Sequence, residues 1–269
     1  MSNRCIGLNR IINPSLSLPD FIQLAVDVKA TSIELRNDLK GVSIYDNMEP
    51  DSVIQMCKDA QIQIESINAL QRFNDTVPRL EELKMLIDEA KAIGCKAIVL
   101  CPINGIAENE DRTRYVQQAT NALSLYGPLF KEAGLLGYVE PLGFKQSSLR
   151  TKKDAVSAIK QCGFAECYRL THDTFHHHLA QEEMFFAKQT GLVHLSGVQT
   201  AKPIDSMLDC DRVFITKQDQ LGNREQIQRL IKEGFAGVFS FEPFAAEVQE
   251  LSTEELKKAL KESMQLLFL

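Results

Sequence analysis

The sequence predicts an α/β fold, a single (β/α)8 TIM barrel that takes in residues 1–269 as one domain. Apolar strand-like runs alternate with helical patterns eight times, and no composition break or linker divides the series. The length of 269 residues suits a barrel, which typically takes roughly 250. An open doubly wound sheet is the rival. It would want a glycine-rich phosphate turn after an early strand, whereas Gly7 leads only to Leu8-Asn9-Arg10.

The elements follow in order. Cys5-Ile6-Gly7-Leu8-Asn9 reads as the first strand, with a helix from Asp20 to Lys29 after Pro19. Ser32–Leu35 precedes a helix from Asp51 to Ala60, and Gln61–Ile67 gives the third strand. Between Arg79 and Ala92, Leu80, Leu83, Ile87 and Ala90 recur at helical spacing, and Gly94 supplies a stop. Lys96–Leu100 is the fourth strand. Its helix, Arg112 to Ala133, contains Gly127-Pro128, where a break is expected. The fifth unit pairs Leu135–Glu140 with Lys152–Gln161, and the sixth pairs Tyr168–Asp173 with a short helix over Gln181–Lys188. The seventh strand, Leu192–Ser196, reaches its helix, Arg224–Glu233, only after a long interval. Gly237–Glu242 and Thr253–Leu267 close the series, and Ser252-Thr253-Glu254-Glu255 supplies a capping pattern for the last helix.

Composition excludes several function classes. Net charge is −6 and the basic residues are scattered, so no basic stripe marks a nucleic-acid partner. No apolar run approaches the roughly 18 residues that span a bilayer, and Met1–Ile12 lacks the apolar core of a signal peptide. The seven cysteines form no C-x-x-C pair and several fall inside strand-like runs. That favours reduced, packed thiols in a cytoplasmic protein without a membrane partner.

A β/α barrel places its chemistry at the C-terminal ends of its strands. Those ends read Asn9, Glu34 with Arg36, Asn68, Cys101, Glu140, Asp173, His194 and Glu242. The last four come from consecutive strands. Three carboxylates and an imidazole at one mouth repel one another unless a cation neutralises them. Two Glu, one Asp and one His therefore point to one divalent metal ion. The mixed oxygen and nitrogen set suits Mn²⁺ or Co²⁺ first, with Zn²⁺ or Mg²⁺ as alternatives. The four histidines of Thr171-His172-Asp173-Thr174-Phe175-His176-His177-His178 are the other conspicuous feature. Strand alternation turns His172 away from Asp173, outside the metal set. His177 and His178 support the site or face solvent.

The residues carry a family resemblance over nearly the whole chain. Ile33-Glu34-Leu35-Arg36, Asn68-Ala69-Leu70 with Phe73-Asn74, Glu140-Pro141-Leu142-Gly143 and Asp173-Thr174-Phe175-His176-His177-His178 are its first part. Val193-His194-Leu195, Asp211-Arg212-Val213 and Phe241-Glu242-Pro243-Phe244 followed by Leu251-Ser252-Thr253-Glu254-Glu255 complete it. The chain resembles the xylose-isomerase-like barrels that isomerise or epimerise sugars, and within them the inosose (2-keto-myo-inositol) isomerases of inositol catabolism. The resemblance implies metal ligation by Glu140, Asp173, His194 and Glu242, and a substrate contact from His176. Ketohexose epimerases carry a Glu and an Arg where this chain has Gln146 and Thr200. Gln146 matches the inosose isomerase pattern, whereas Ser196-Gly197-Val198-Gln199 is less acidic than that subgroup's version.

The implied reaction is transposition of the ketone of a cyclic keto-polyol through an enediolate, with Glu140 and Glu242 as base and acid. His176, Gln146, Asn68 and Arg212 are the expected substrate contacts, Arg212 from a lid over residues 197–222. Same-fold rivals are an inosose or dehydroshikimate-type dehydratase, a ketose 3-epimerase and a hydroxypyruvate isomerase. A non-catalytic sugar-binding protein is the rival from another class. The partners expected are a small sugar or cyclitol and a second copy of the chain in a homodimer.

Overall fold

The computed structural model describes residues 4–108 and 110–268. Eight parallel strands pair in sequence order and the first closes on the last: β1 Cys5–Asn9, β2 Ser32–Arg36, β3 Gln63–Leu70, β4 Ala97–Leu100, β5 Leu136–Val139, β6 Tyr168–Asp173, β7 Thr190–Leu195 and β8 Val238–Phe241. Closure is set by the register Cys5↔Val238 to Leu8↔Phe241. Around the barrel lie α1 Leu18–Asp27, α2 Pro50–Ala60, α3 Leu80–Ala92, α4 Thr113–Ala133, α5 Lys152–Gln161, α6 Thr174–Ala180, α7 Asn223–Lys232, α8 Ala246–Gln249 and α9 Thr253–Phe268. The chain is the (β/α)8 barrel that the alternation predicts.

Local chemistry sets the helix starts. Ser17 accepts the Asp20 amide with Pro19 in the first turn of α1, and Thr151 accepts the Asp154 amide at α5. At α9 the Ser252 and Glu255 side chains each accept the other's amide, the reciprocal box that the sequence suggests.

Period-two alternation divides the apolar residues of each strand. Ile98, Leu100, Val193 and Leu195 join the main core between barrel and helices, while Ala97, Val99, Tyr138, Leu192 and Val238 form a smaller cluster inside the barrel. Above that inner cluster the inward positions turn polar. A register shift opposite Ile33 and Glu34 makes Glu65 an extra residue on β3 and pairs Ser66 with Glu34.

Two expectations fail. The break at Gly127-Pro128 does not occur, and α4 runs through Pro128 unbroken. Packing outweighs the lost amide bond: Tyr168 donates its hydroxyl to the Leu123 carbonyl at 2.7 Å. Phe164 also fits so closely on Gly127 that an added Cβ would lie 2.3 Å from its ring. The short helix is not at Gln181–Lys188, where only the single turn Ala187–Gln189 forms. It is α6, starting at the strand end, because Asp173 Oδ1 accepts the amides of Phe175 at 2.7 Å and His176 at 3.1 Å.

Residues 196–222 hold only the turns Ile204–Ser206 and Asp209–Asp211 and an antiparallel bridge between Gly197 and Val213. They are nonetheless anchored. Val198, Met207 and Leu221 are buried against Phe175 and Leu179 of α6, with Ile204 and Phe144 alongside. Among the described residues no helix is long and apolar enough to cross a membrane.

Candidate metal centre

The site grows from four strand ends. Glu140, Asp173, His194 and Glu242 each offer one ligand atom, all within 4.8 Å of one another, and all four residues are buried. His194 Nδ1 lies 2.9 Å from Glu140 Oε1, 3.1 Å from Glu242 Oε2 and 3.9 Å from Asp173 Oδ2. Its other nitrogen, Nε2, is 3.1 Å from Glu34 Oε2. Burial works against a charged His194 ring. The carboxylates of Glu242, Glu34 and Glu140 outweigh it and push the imidazole well above its ordinary range.

Two guanidiniums enter the same space. Arg212 Nη2 donates to Asp173 Oδ2 at 2.5 Å and to Glu242 Oε2 at 3.0 Å, while its Nε donates to Ser196 Oγ at 2.9 Å. The guanidinium carbon stands 4.6 Å from the Phe244 ring centroid and 5.2 Å from that of Phe175. Arg36 Nη1 donates to Glu242 Oε1 at 3.0 Å, and Asn9 Nδ2 donates to the same oxygen at 3.0 Å. Glu242 therefore receives donors on both oxygens. Burial alone would raise its carboxyl, but His194, Arg212 and Arg36 hold it well below the usual carboxylate range. Glu140 is more sparsely held, by His194 and by the Cys101 thiol at 3.5 Å. Burial, then Glu140, pushes that thiol well above its ordinary range.

These residues fit a divalent ion on charge as well as on donor type. At this site the buried carboxylates are Glu34, Glu140, Asp173 and Glu242 and the buried guanidiniums are Arg36 and Arg212; Glu65 and Arg10, also buried, are paired elsewhere with Lys96 and Asp46. With His194 neutral, as a metal-binding imidazole is, four negative charges less two positive leave two negative charges, matching one divalent cation. Asp38 and Asp209 also pair with these arginines, but from the half-exposed rim. A buried surplus of that size is costly when uncompensated.

The other predicted site residues are placed as follows. His176 is buried in the first turn of α6, with its Nδ1 sealed from solvent and without a hydrogen-bond partner. Gly143 makes room there, since a Cβ on it would lie 2.0 Å from the His176 carbonyl oxygen. Asn68 is buried, and its amide nitrogen donates to Glu34 Oε2 and Ser66 Oγ, both at 2.9 Å. Gln146 is exposed at the rim and bonded to Glu108. Arg212, from the 197–222 segment, is fully buried on the metal-site carboxylates. His172 faces outward, with Nε2 3.0 Å from Gln226 Oε1.

Sequence reading did not bring Arg36 to Glu242, Glu34 to His194, or Lys152 to His177. For the first two a signal existed: Glu34 and Arg36 share one face of β2, so both point into the barrel. Lys152 carried none. It opens α5 and buries its Nζ 2.6 Å from His177 Nδ1 and 2.9 Å from Glu182 Oε2.

Comparison with known proteins agrees with the fold. The family described as the xylose isomerase-like TIM barrel matches residues 22–268. A xylose isomerase domain containing protein from Salmonella typhimurium LT2 is 31% identical and superposes with a TM-score of 0.91, covering 98% of this chain and 97% of that one. The IolI protein, solved with a bound zinc atom, superposes with a TM-score of 0.86 at 20% identity over 98% and 97% of the two chains. Inosose isomerase of Halalkalibacterium halodurans is 24% identical over 210 residues, which are 74% of this chain and 72% of the relative.

Proposed function

The chain belongs to the xylose isomerase-like TIM-barrel family, and from that membership we propose that it is a divalent-metal-dependent isomerase. Its substrate on this reading is a cyclic keto-polyol of the inosose (2-keto-myo-inositol) type, placing it in inositol catabolism. The observation that carries the reading is the convergence of Glu140, Asp173, His194 and Glu242 on one point, with a charge surplus that one divalent ion would cancel. Those four residues would hold the ion. The similarity to an inosose isomerase and to a zinc-bound IolI protein supports both the metal and the substrate class.

When bound, the ion would supply Lewis acidity and a template for the ketone and its neighbouring hydroxyl, with Mn²⁺ or Co²⁺ preferred and Zn²⁺ or Mg²⁺ able to serve. The chain's own residues would move the protons. Glu140 and Glu242 come from the ends of β5 and β8 on separate sides of the site. One could therefore remove the proton from the hydroxyl-bearing carbon beside the ketone and the other return one to the former ketone carbon, with the hydroxyl proton passing to the former ketone oxygen. Asp173 and His194 act as ligands. The His176 imidazole reaches a substrate oxygen, and Gln146 would have to leave Glu108 to do the same. Arg212, held between Phe175 and Phe244, fixes Asp173 and Glu242 and offers the remaining positive charge to the substrate. Each of these carboxylates is at most 4% exposed, so the proton transfers would take place away from bulk solvent. All seven cysteines are free thiols, which fits the cytoplasmic location proposed with this function. A homodimer remains part of the proposal.

The test is incubation of the Mn²⁺-loaded protein with a panel of inososes and ketoses in D₂O, followed by NMR. Ketone transposition of an inosose with deuterium entering at carbon is the expected outcome. Turnover that keeps the substrate hydrogen would replace proton transfer with a hydride shift. Turnover of ketohexoses alone would move the assignment to the epimerases.

A further inference from the structure

Glu34 has no place in the ligand set, yet it is the group that His194 meets on its far side. It is completely buried on β2 and reaches His194 of β7 across the barrel interior. We propose that Glu34 is a positioning residue for the metal centre: its carboxylate accepts the Nε2–H of His194. That holds the ring in the one tautomer whose Nδ1 lone pair points at Glu140, Asp173 and Glu242. The inference rests on the metal reading given above.

Three observations carry it. His194 Nδ1 lies among the three ligand carboxylates and Nε2 faces Glu34 alone, so the two ring nitrogens have separate tasks. The tautomer of a metal-binding imidazole is set by the bond its other nitrogen makes.

Glu34 is itself braced. Ser66 Oγ donates to Oε2 at 2.6 Å and Asn68 Nδ2 donates to it at 2.9 Å, while Ser66 Oγ also accepts from Asn68. The extra residue in β3 is what brings Ser66 level with Glu34. The Asn68 amide nitrogen donates to this brace.

The third observation is cost. Glu34 is completely buried, and beyond its bonded Oε2 only the Ser240 hydroxyl of β8 stands beside it. The guanidinium of Arg36, two residues along the same face, goes to Asp38, Asn9 and Glu242 instead. Burying a carboxylate has a desolvation cost that a purely packing role would not require, since an apolar side chain would meet that role without it. What an apolar side chain cannot do is accept from Nε2. Added carboxylate character on the imidazole also strengthens the opposite nitrogen as a donor to a metal.

The experiment uses Zn²⁺ as the probe ion and needs no substrate. Zn²⁺ affinity is measured by competition with a chromophoric chelator for the full chain and for Glu34→Met, which keeps the length and removes the acceptor for Nε2–H. The expected result is an affinity lower by about 10–100-fold in Glu34→Met, partly restored in Glu34→Gln, whose amide oxygen can still accept. Equal affinity in Glu34→Met and the unaltered protein would overturn the proposal. A second measurement does not depend on any variant folding: ¹⁵N spectra of histidine-labelled, Zn²⁺-loaded protein. His194 should show a protonated Nε2 and a metal-shifted Nδ1, and the reverse pattern would overturn the proposal with the metal centre left intact. If the unaltered protein takes up no Zn²⁺ at all, the metal reading falls and this inference falls with it.

Discussion

Strand β6 separates two buried polar clusters of opposite character. On its inner face Asp173 joins Glu140, Glu242, Glu34 and His194, where carboxylates outnumber guanidiniums by two. On its outer face His172 joins His177, Lys152 and Glu182 beneath α5 and α6. The outer cluster is already balanced. Lys152 pairs with Glu182 and donates to His177, and His172 and His177 pack on Phe185. Burial, then Lys152, pushes His177 down to about 3 and holds His172 well below its ordinary range, so both rings are neutral. Histidine density therefore marks packing here, and convergent carboxylates mark the proposed metal centre. The difference follows from one rule: an uncompensated buried charge calls for a partner from outside the chain, and a compensated one does not.

The sharpest way to break this comparison is to change adjacent residues on the two faces. Asp173→Asn should lose bound metal and at least about 10³ in turnover, since the metal contributes several kcal/mol to the barrier. His172→Asn should keep the metal and the turnover and lose only stability, about 1–3 kcal/mol for its bond to Gln226. Elemental analysis, an isomerase assay and urea denaturation read the three quantities. Loss of metal from His172→Asn would make the two clusters one.

A second experiment weighs the guanidinium against the ion. Arg212→Met removes the buried cation from Asp173 and Glu242 and should destabilise the metal-free protein by about 3–5 kcal/mol. Added Mn²⁺ should then raise the melting temperature of Arg212→Met by more than that of the unaltered protein. Equal shifts would mean that Arg212 and the ion do not share the same charge deficit.

A third experiment reads the outer cluster through pH. His177 is neutral in the folded chain down to about pH 3 but takes a proton near pH 6.5 when unfolded. Its contribution is intact above about pH 6.5 and is lost as pH falls from there towards about 3, where the unfolded chain binds the extra proton. His177→Gln keeps an acceptor for Lys152 and cannot titrate. Its stability should fall less steeply through that window, by up to about 1.4 kcal/mol per pH unit, with metal binding unchanged. Parallel urea midpoints against pH would show that His177 is not buried neutral.

Much of this was legible in the sequence because it depends on local periodicity. The eight strands follow from short apolar runs, and period-two alternation alone puts Asp173 inward and His172 outward. Glu140, Asp173, His194 and Glu242 could be found together because barrel topology alone brings strand ends to one mouth. What could not be read depends on packing between distant segments. The course of α4 through Pro128 is decided by Phe164 and Tyr168 from beyond α5. The start of α6 is decided by a carboxylate that serves the strand and caps the helix at once. Arg212 lies in a segment without periodicity, and only the fold shows its guanidinium wedged between Phe175 and Phe244 over the metal-site carboxylates. The register shift that levels Ser66 with Glu34 has no signature in the residues themselves.

The central claim is that the inner cluster is the seat of one divalent ion. Equilibrium dialysis of the purified chain against Mn²⁺, followed by elemental analysis, tests it most directly, with Asp173→Asn dialysed alongside. The account predicts close to one ion per unaltered chain and far less than one for Asp173→Asn. An unaltered chain that retains no ion, or an Asp173→Asn chain that retains as much, would contradict it.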